Sequence, residues 1–459
     1  AMAASHASPS AQLAQAIERL KTEVHTLSLG LAALNECLVE AGHISPEAMQ
    51  ARIHRHRFAA ARREHPVGVP LAAARHVLSQ HTVALALAEF TGPSAARALA
   101  GASRGAAEAV DGVARCVRAM FPQQVYACGG FDGAKSLSSA ERYDPSAGRW
   151  TRLPPMTEGR SHASCAVLDG ALYVCGGLAE SGRCSDIAER FDPALGVWER
   201  LPSMCTARSS APLVALGAHI YACGGHGSTE RLTAVDRFSP GSSYWEAVPP
   251  MFQRRSNSAV AVIASRLYVC AGLGEASMRL SSLERFDPRH HAWERLPPMS
   301  EGRSYASSAV AGGALYVCGG FDGVRRLRSG ERFHPDIGHW EPLPPMSQGR
   351  SVAATAVVDG RVYILGGFGG SQGLSSAECF DPVAHAWLPL PPLSERRSHT
   401  TASVVSGRLY LCGGFNGTQG LSSAECFDVA AGVWRALPTM HERRAYAAGA
   451  AAWAPPARA

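Results

Sequence analysis

The chain has 459 residues, of which 44 are basic and 38 are acidic, and its formal net charge is +6. So small an excess of positive charge gives no electrostatic support for binding to nucleic acid or to acidic membranes, and the length favours more than one structural unit. The chain has no run of about eighteen apolar residues and no apolar signal peptide at its start, so we predict no membrane span and no export. The 13 cysteines are an odd number dispersed along the chain, which indicates reduced thiols and a cytoplasmic location.

Residues 1–9 are predicted to be disordered, and residues 10–41 to form a helix. Apolar residues recur from Leu13 to Leu38 at spacings that alternate between four and three. This heptad pattern places Ile17, Val24 and Leu31 at one position and leucines at the other, which favours a parallel two-stranded coiled coil. We therefore predict a homodimer through residues 13–38, with packing onto the following helices as the alternative.

Residues 45–120 are predicted to be helical as well. Ser45-Pro46-Glu47 is a helix start, and apolar residues from 83 to 107 form two short helices separated by Gly92-Pro93. The segment 83–107 resembles an F-box, although the Leu-Pro that usually opens one is absent. An ordinary helical hairpin is the alternative. No BTB domain is recognisable in these residues.

The remainder of the chain is an internal repeat. Tryptophans recur at spacings of 47 or 48 residues, at Trp150, Trp198, Trp245, Trp293, Trp340, Trp387 and Trp434. Pairs of glycines keep the same step, and only Ala271-Gly272 departs from Gly-Gly. Seven copies of one structural unit are therefore predicted.

Each unit has the pattern of a four-stranded antiparallel sheet. In the second unit an alternating segment leads to a turn at Asp169-Gly170 and then to a strand that ends at Gly176-Gly177. A polar loop, a third strand closed by Asp-Pro and a fourth strand around the tryptophan follow. Such sheets bury enough apolar surface only when they pack radially, so residues 122–453 are predicted to form an all-β propeller of seven blades, with 454–459 as a tail.

The repeated segments Tyr-x-Cys-Gly-Gly, Glu-Arg-Phe-Asp-Pro, Trp and Leu-Pro-Pro-Met resemble the kelch repeat over residues 122–453. The first unit begins at Val125 without an opening strand, whereas the chain ends with a spare strand, Arg444 to Trp453. The resemblance to kelch propellers implies that this C-terminal strand joins the first blade and closes the ring. It also implies a protein-binding module, such as the substrate-binding adaptor of a ubiquitin ligase.

Two repeated positions are candidates for a partner-binding face. The first is an Arg-Ser pair that opens each blade, at Arg160, Ser161, Arg208, Ser209, Arg255, Ser256, Arg303, Ser304, Arg350, Ser351, Arg397 and Ser398, with Arg444 alone in the last copy. The second follows each glycine pair, at Phe131, Leu178, His226, Leu273, Phe321, Phe368 and Phe415, where the two leucines are the weakest candidates. In the adaptors that this chain resembles, the matching positions line the face that binds the partner.

Two interpretations of the arginines remain open. Guanidiniums around one mouth of the channel, with aromatic rings between them, would bind an acidic peptide segment. Alternatively, the arginines cap strands or pair with repeated carboxylates, at Glu141, Glu189, Glu284, Glu331, Glu378 and Glu425.

No catalytic residue, metal site or cofactor is predicted. Six cysteines precede the glycine pairs, where a small apolar side chain is needed, and no Cys-x-x-Cys accompanies them. An iron site found in some kelch enzymes needs Glu, Asp and His at intervals of four, but Leu283 stands before Asp287 and His291. The first alternative to the ligase adaptor is therefore an actin or cytoskeletal scaffold, and the second is a metal-dependent kelch enzyme. The predicted partners are cullin-type ligase components for the adaptor and actin for the scaffold.

Overall fold

The computed structural model describes residues 123–453 apart from residues 194, 242 and 243. The predicted coiled coil at 13–38, the F-box-like segment at 83–107 and the tail at 454–459 lie outside the described residues. Within the described part of the chain, seven four-stranded antiparallel sheets are arranged as the blades of a propeller. The predicted seven-bladed propeller is confirmed.

Each blade runs from an innermost strand, through a second and a third strand, to an outer strand. In blades 1 to 7 the innermost strands are Ala448–Trp453, Ser164–Leu168, Leu213–Leu216, Ala259–Ile263, Ser307–Ala311, Ala354–Val358 and Thr401–Val405. The second strands are Gln123–Cys128, Ala171–Cys175, His219–Cys223, Arg266–Cys270, Ala314–Cys318, Arg361–Leu365 and Arg408–Cys412. The innermost strands of neighbouring blades contact one another around a complete circle, so the ring is closed.

The third and outer strands complete each blade. The third strands are Ala140–Asp144, Ala188–Asp192, Val235–Ser239, Leu283–Asp287, Gly330–His334, Ala377–Asp381 and Ala424–Asp428. The outer strands are Arg149–Leu153, Val197–Arg200, Tyr244–Val248, Ala292–Leu296, His339–Leu343, Ala386–Leu390 and Val433–Leu437. A short pair, Arg160–Ser161 with Leu178–Ala179, and one 3-10 turn, Glu275–Ser277, are the other elements of the described residues.

Blade 1 contains both ends of the propeller sequence. Its innermost strand, Ala448–Trp453, pairs antiparallel with Gln123–Cys128 over six residues. Because the pairing joins strands more than 300 positions apart, it ties the propeller into one closed body. The structure thus has the closure by the C-terminal strand that the kelch resemblance implies.

Aromatic side chains and prolines connect neighbouring blades. Within blade 5, Phe333 lies opposite Trp340 with the ring centroids 5.1 Å apart, and the tyrosine of the preceding blade, Tyr268, contacts the same phenylalanine. The Trp340 indole also donates a hydrogen bond of 2.8 Å to the Pro297 carbonyl of blade 4. Equivalent indole bonds are made by Trp150, Trp198, Trp293, Trp387 and Trp434. The repeated tryptophans thereby add directional bonds to the apolar packing between blades.

Alternating strand directions place two kinds of loop at one end of the propeller. The loops between second and third strands and the segments leading into the innermost strands lie at this end, which we call the mouth of the channel. The turns between third and outer strands lie at the opposite end. Both sets of predicted binding residues therefore lie at the mouth.

Candidate partner-binding face

The seven arginines that open the blades lie inside the scaffold. Their side chains are at most 1% exposed, and each pairs with a carboxylate on the third strand of the blade that it opens. We call them the joint arginines: Arg160, Arg208, Arg255, Arg303, Arg350, Arg397 and Arg444. Their partners, in the same order, are Glu189, Asp236, Glu284, Glu331, Glu378, Glu425 and Glu141.

Arg350 shows what a joint arginine does. Its backbone belongs to blade 5, because its carbonyl accepts a hydrogen bond of 2.8 Å from Gly320. Its guanidinium belongs to blade 6, where it lies 2.6 Å from Glu378 and donates to the Gly366 carbonyl at 2.9 Å. A Cβ at Gly319 would lie 2.4 Å from the Arg350 carbonyl, so the first glycine of the pair allows the two segments to approach. One arginine therefore fastens two consecutive blades.

This placement corrects the expectation that the joint arginines line an open pocket. A guanidinium that is buried and already bonded to a carboxylate and to carbonyls has no surface to offer a partner. The serines that follow are buried too, at 5% exposure or less: Ser161, Ser209, Ser256, Ser304, Ser351 and Ser398. Pairing with repeated carboxylates, which the sequence left as an alternative, is the arrangement in the structure.

The residues after the glycine pairs are more accessible than the joint arginines. Leu273 is buried, whereas the other six are half-buried: Phe131, Leu178, His226, Phe321, Phe368 and Phe415. In most blades the post-glycine residue forms a β-bridge with the serine after the joint arginine, as Phe321 does with Ser304. The half-buried rings therefore remain candidates for partner contact.

A ring of seven residues surrounds the channel one position after those serines. We call it the mouth ring: His162, Ser210, Asn257, Tyr305, Val352, His399 and Tyr446. The backbone amide of each member donates a hydrogen bond to the carbonyl of the preceding member, and the amide of His162 donates to the carbonyl of Tyr446. The seven bonds form a closed circle, with lengths of 3.0 to 3.3 Å. Every member has φ between +47° and +55°, although none is glycine. This ring leaves no repeated pattern in the sequence, because its residue types differ from blade to blade.

Three mouth-ring aromatics form a stack near blade 1, where the first and last strands of the propeller pair. The Tyr446 ring lies 4.1 Å from the His162 ring and 4.1 Å from the His399 ring. Burial lowers the pKa of His399 to about 4 and also lowers the pKa of His162. Both imidazoles are therefore neutral at pH 7 and add no charge to this side of the mouth.

Three other arginines give the opposite side of the mouth a positive charge. We call Arg231, Arg279 and Arg326 the mouth arginines; each forms a β-bridge with the post-glycine residue of its own blade, in blades 3, 4 and 5. The Arg326 guanidinium lies 4.3 Å from the Phe321 centroid and 5.0 Å from the Phe368 centroid, and Arg279 lies 5.0 Å from that of Phe321. Arginine and phenylalanine thus alternate across blades 4 to 6.

The carboxylates near the mouth arginines are bonded to other groups. Glu230 and Glu275 both pair with Arg254, at 2.5 and 3.1 Å. Asp322 accepts hydrogen bonds from backbone amides and lies 3.5 Å from Arg325. Among the described residues, no carboxylate oxygen lies within 4 Å of the three mouth arginines, whose guanidiniums make contacts to Ser277 and to aromatic rings. The three mouth arginines therefore have no direct carboxylate partner.

A cleft of about 750 Å³ opens between blades 7 and 1. We call it the seam cleft; Phe415, Phe131 and Tyr446 contribute its aromatic surface, and Asp132 and Glu442 its carboxylates. Position 420, which corresponds to the mouth arginines, is a glycine, so it contributes no side chain to the space between the two phenylalanines. The mouth thus combines a cationic side with an open aromatic side.

The repeated thiols and the other titratable groups do not form a metal site in the described part of the chain. No group of three or more His, Cys, Asp or Glu side chains there could hold a metal ion. Burial raises the pKa of Cys175, Cys223 and Cys318 to about 12, so these thiols are protonated. None of the described helices has the length and apolarity needed to cross a membrane.

Comparisons with known proteins agree with the geometry. The family described as Attractin/LZTR1 beta-propeller matches residues 125–372, more than half of the chain, and the Kelch motif matches residues 396–441. Kelch-like protein 35 of Mus musculus is 46% identical over 59 residues, 13% of this chain and 10% of that protein. Kelch-like protein 21 of Bos taurus is 42% identical over 50 residues, 11% of this chain and 8% of its own.

These curated relatives share only short stretches with the chain, which spans about a tenth of their length. The solved structure of YjhT superposes with a TM-score of 0.52 over 62% of this chain and 99% of that one, at 15% identity, which is evidence for the fold alone. The family match covers most of the propeller. The chain therefore belongs to the Attractin/LZTR1 β-propeller family, and its blades are kelch repeats.

Proposed function

We propose that the propeller is a protein-binding module, and that it binds an acidic segment of its partner at the mouth of the channel in the cytoplasm. One observation carries the proposal: three consecutive blades place arginines without carboxylate partners at the mouth, in a scaffold whose joint arginines are paired and buried. Guanidiniums without a carboxylate partner bind carboxylate or phosphate groups through charge-assisted hydrogen bonds. The half-buried phenylalanines between them add apolar contact area.

The acidic segment is proposed to lie over blades 3 to 5. Arg279 and Arg326 are held against Phe321, so little side-chain freedom is lost when they bind an anion. The proposed binding residues therefore include Phe321 and Phe368 from the predicted set, His226 next to Arg231, and the three mouth arginines. Phe131 and Phe415 lie on the opposite side, beside the carboxylates of the seam cleft.

We further propose that the protein is the substrate-binding adaptor of a ubiquitin ligase. Its short stretches of likeness to Kelch-like proteins 35 and 21 support this proposal. A relative from Caenorhabditis elegans, 40% identical over 53 residues, is named as a Kelch repeat and BTB domain-containing protein. In this chain the F-box-like segment at 83–107 is the region proposed to bind ligase components, and residues 13–38 are proposed to dimerise it.

Quantitative affinity capture tests the binding site and the ligase connection together. The test protein carries Arg231→Gln, Arg279→Gln and Arg326→Gln; a matched control carries Arg149→Gln, Arg289→Gln and Arg435→Gln, three exposed arginines on the outer strands and their turns. We expect the affinity of the mouth variant for the partner to fall about tenfold or more for each guanidinium that bonds the partner, since a charge-assisted hydrogen bond contributes about 1.5–3 kcal/mol. The control should retain it.

Partner lists that do not differ between the wild type and the mouth variant would overturn the proposed site. Recovery of cullin-type components with the wild type would support the ligase proposal, and recovery of actin filaments in their place would contradict it. Because surface charges are screened by salt, partner binding should also weaken steeply between low and high ionic strength.

A further inference from the structure

The position of Arg326 shows how this propeller holds a guanidinium between two blades. Residue 326 forms a β-bridge with Phe321 of its own blade, and its side chain reaches the ring of Phe368 in the next blade. The guanidinium lies 4.3 Å from one ring centroid and 5.0 Å from the other. Two successive post-glycine phenylalanines therefore form a binding site for a planar cation, and the protein fills this copy of the site itself.

The same pair of phenylalanines recurs at the seam without an arginine. Phe415 of blade 7 and Phe131 of blade 1 occupy the post-glycine positions, and Gly420 takes the place of the arginine. A Cβ at Gly420 would meet no atom closer than 3.4 Å, so the space is not closed by backbone. The seam cleft of about 750 Å³ lies at this point.

The charges of the seam cleft differ from those around Arg326. Asp132 and Glu442 line the cleft together with one cation, Arg443, whose side chain is exposed. One Asp132 oxygen accepts backbone hydrogen bonds of 2.7 and 2.8 Å. Glu442 accepts a bond of 2.6 Å from Ser139 and lies 3.8 Å from Arg444. Among the described residues, Arg326 has no carboxylate oxygen within 4 Å, so a cation in the cleft would gain contacts that Arg326 lacks.

We infer that the seam cleft binds the guanidinium of an arginine side chain of the partner, sandwiched between Phe415 and Phe131 as Arg326 is between Phe321 and Phe368. A guanidinium fits better than an ammonium group, because it is planar, weakly hydrated and stacks on aromatic faces. The inference rests on the proposed function in taking the mouth as the partner's site. It adds that the bound segment has an acidic residue over blades 3 to 5 and an arginine at the seam.

The test uses the full chain and a short probe. The probe is the peptide acetyl-Gly-Arg-Gly-amide, compared with the same peptide in which citrulline, the neutral isostere, replaces arginine; binding is followed by saturation-transfer NMR. We expect the arginine peptide to bind the wild type about tenfold more tightly than the citrulline peptide. Equal binding of the two peptides would overturn the inference.

A substitution copied from blade 5 tests the location. Gly420→Arg would place the protein's own guanidinium between Phe415 and Phe131, and we expect it to abolish binding of the arginine peptide. The matched control is Val383→Arg, which adds the same charge in an exposed turn of blade 6 at the opposite end of the propeller. Retained binding by Gly420→Arg, or equal loss in both variants, would overturn the location.

Two further variants keep the test decisive. If Gly420→Arg does not fold, Phe415→Leu removes one stacking ring and should weaken the arginine peptide about tenfold, and an unchanged affinity counts against the inference. Arg326→Gly vacates the site in blade 5 and should create a second binding site, seen as new contacts of the probe with Phe321 and Phe368. If a mouth-arginine variant loses the natural partner and still binds the arginine peptide as the wild type does, the result separates binding of the acidic segment over blades 3 to 5 from binding of an arginine in the seam cleft.

Discussion

The joint arginines and the mouth arginines lie at the same end of the propeller but differ in the number of blades that carry them, in burial and in their contacts with carboxylates. Joint arginines occur in all seven blades, are at most 1% exposed and contact a carboxylate. Mouth arginines occur in three consecutive blades, are half-buried and, within the described residues, have no carboxylate oxygen within 4 Å. The first set holds blades together, whereas the second set has charge to offer a ligand.

The contrast gives a rule for reading a repeat protein. A position that obeys the repeat serves a need that every blade has, and in a propeller that need is attachment to the next blade. At a position where the blades differ, the side chain is not required for attachment to the next blade, so it can contribute to binding. Variants that remove or exchange one kind of residue at a time test this difference.

The largest effect is expected from deletion of residues 441–459. The deletion removes Arg444 and the strand that pairs with Gln123–Cys128, so blade 1 loses its innermost strand and its joint to blade 7. We expect the cooperative unfolding transition in urea to disappear. A chain that lacks only residues 454–459 is the control and should unfold as the wild type does. A cooperative, native-like transition in the longer deletion would refute the role of the closure.

Arg350→Met breaks a single joint. It leaves the Glu378 carboxylate buried opposite an apolar side chain, and such a loss destabilises a protein by about 3–5 kcal/mol. The measurement is the free energy of unfolding in urea. The exposed Arg289→Met should change it little, and the double variant Arg350→Met with Glu378→Leu should lose less than Arg350→Met alone. A stability loss no larger than that of Arg289→Met would mean that the buried pairs are not the joints.

His399→Phe concerns the mouth ring and its dependence on pH. The folded protein keeps the pKa of His399 at about 4, whereas the imidazole of the unfolded chain titrates near 6.5. Between these values the unfolded chain binds a proton that the folded chain does not, so stability falls as pH is lowered from 6.5 towards 4.

Phenylalanine keeps a ring against Tyr446 and removes this titration. We therefore expect the decline in unfolding free energy between pH 7 and pH 5.5 to be smaller in His399→Phe, by at most about 1.4 kcal/mol, the value of one pH unit. An identical decline in wild type and variant would show that His399 does not contribute.

The smallest effect concerns blade 3, whose joint differs from the other six. Arg208 pairs with Asp236, which is one methylene shorter than the glutamate elsewhere, and Asp236 Oδ1 has no hydrogen-bond donor. Burial raises the pKa of Asp236 although Arg208 opposes the shift. We expect Asp236→Glu to stabilise the propeller by about 1 kcal/mol in thermal or urea unfolding, the value of one satisfied hydrogen bond. Destabilisation would show that blade 3 is adapted to the shorter side chain.

The blades could be predicted from the sequence because their determinants are local and repeated. Trp340 and Gly320 each recur in all seven blades at spacings of 47 or 48 residues, so one copy explains the other six. The pairing of Arg350 with Glu378 stayed open, since spacing alone does not tell a buried guanidinium from one at a channel mouth. Asp236 was missing from the predicted carboxylates because it departs from the repeated glutamate.

The mouth ring and the mouth arginines escaped prediction for the opposite reason. Tyr305 and Val352 occupy equivalent places with unrelated side chains, and only the backbone, with φ near +50°, makes them equivalent. Arg326 is separated in sequence from the Phe368 ring that it contacts. Contacts between blades through variable residues leave no periodic trace in a single sequence.

The closed circle of backbone hydrogen bonds in the mouth ring has an evolutionary consequence. Because the amides and carbonyls hold the seven positions, the identity of each side chain has little part in holding them. A substitution there alters the chemistry presented at the channel while the architecture is inherited unchanged. Duplicated copies of such a propeller can therefore diverge in the partners they bind by exchanging a few residues around one circle.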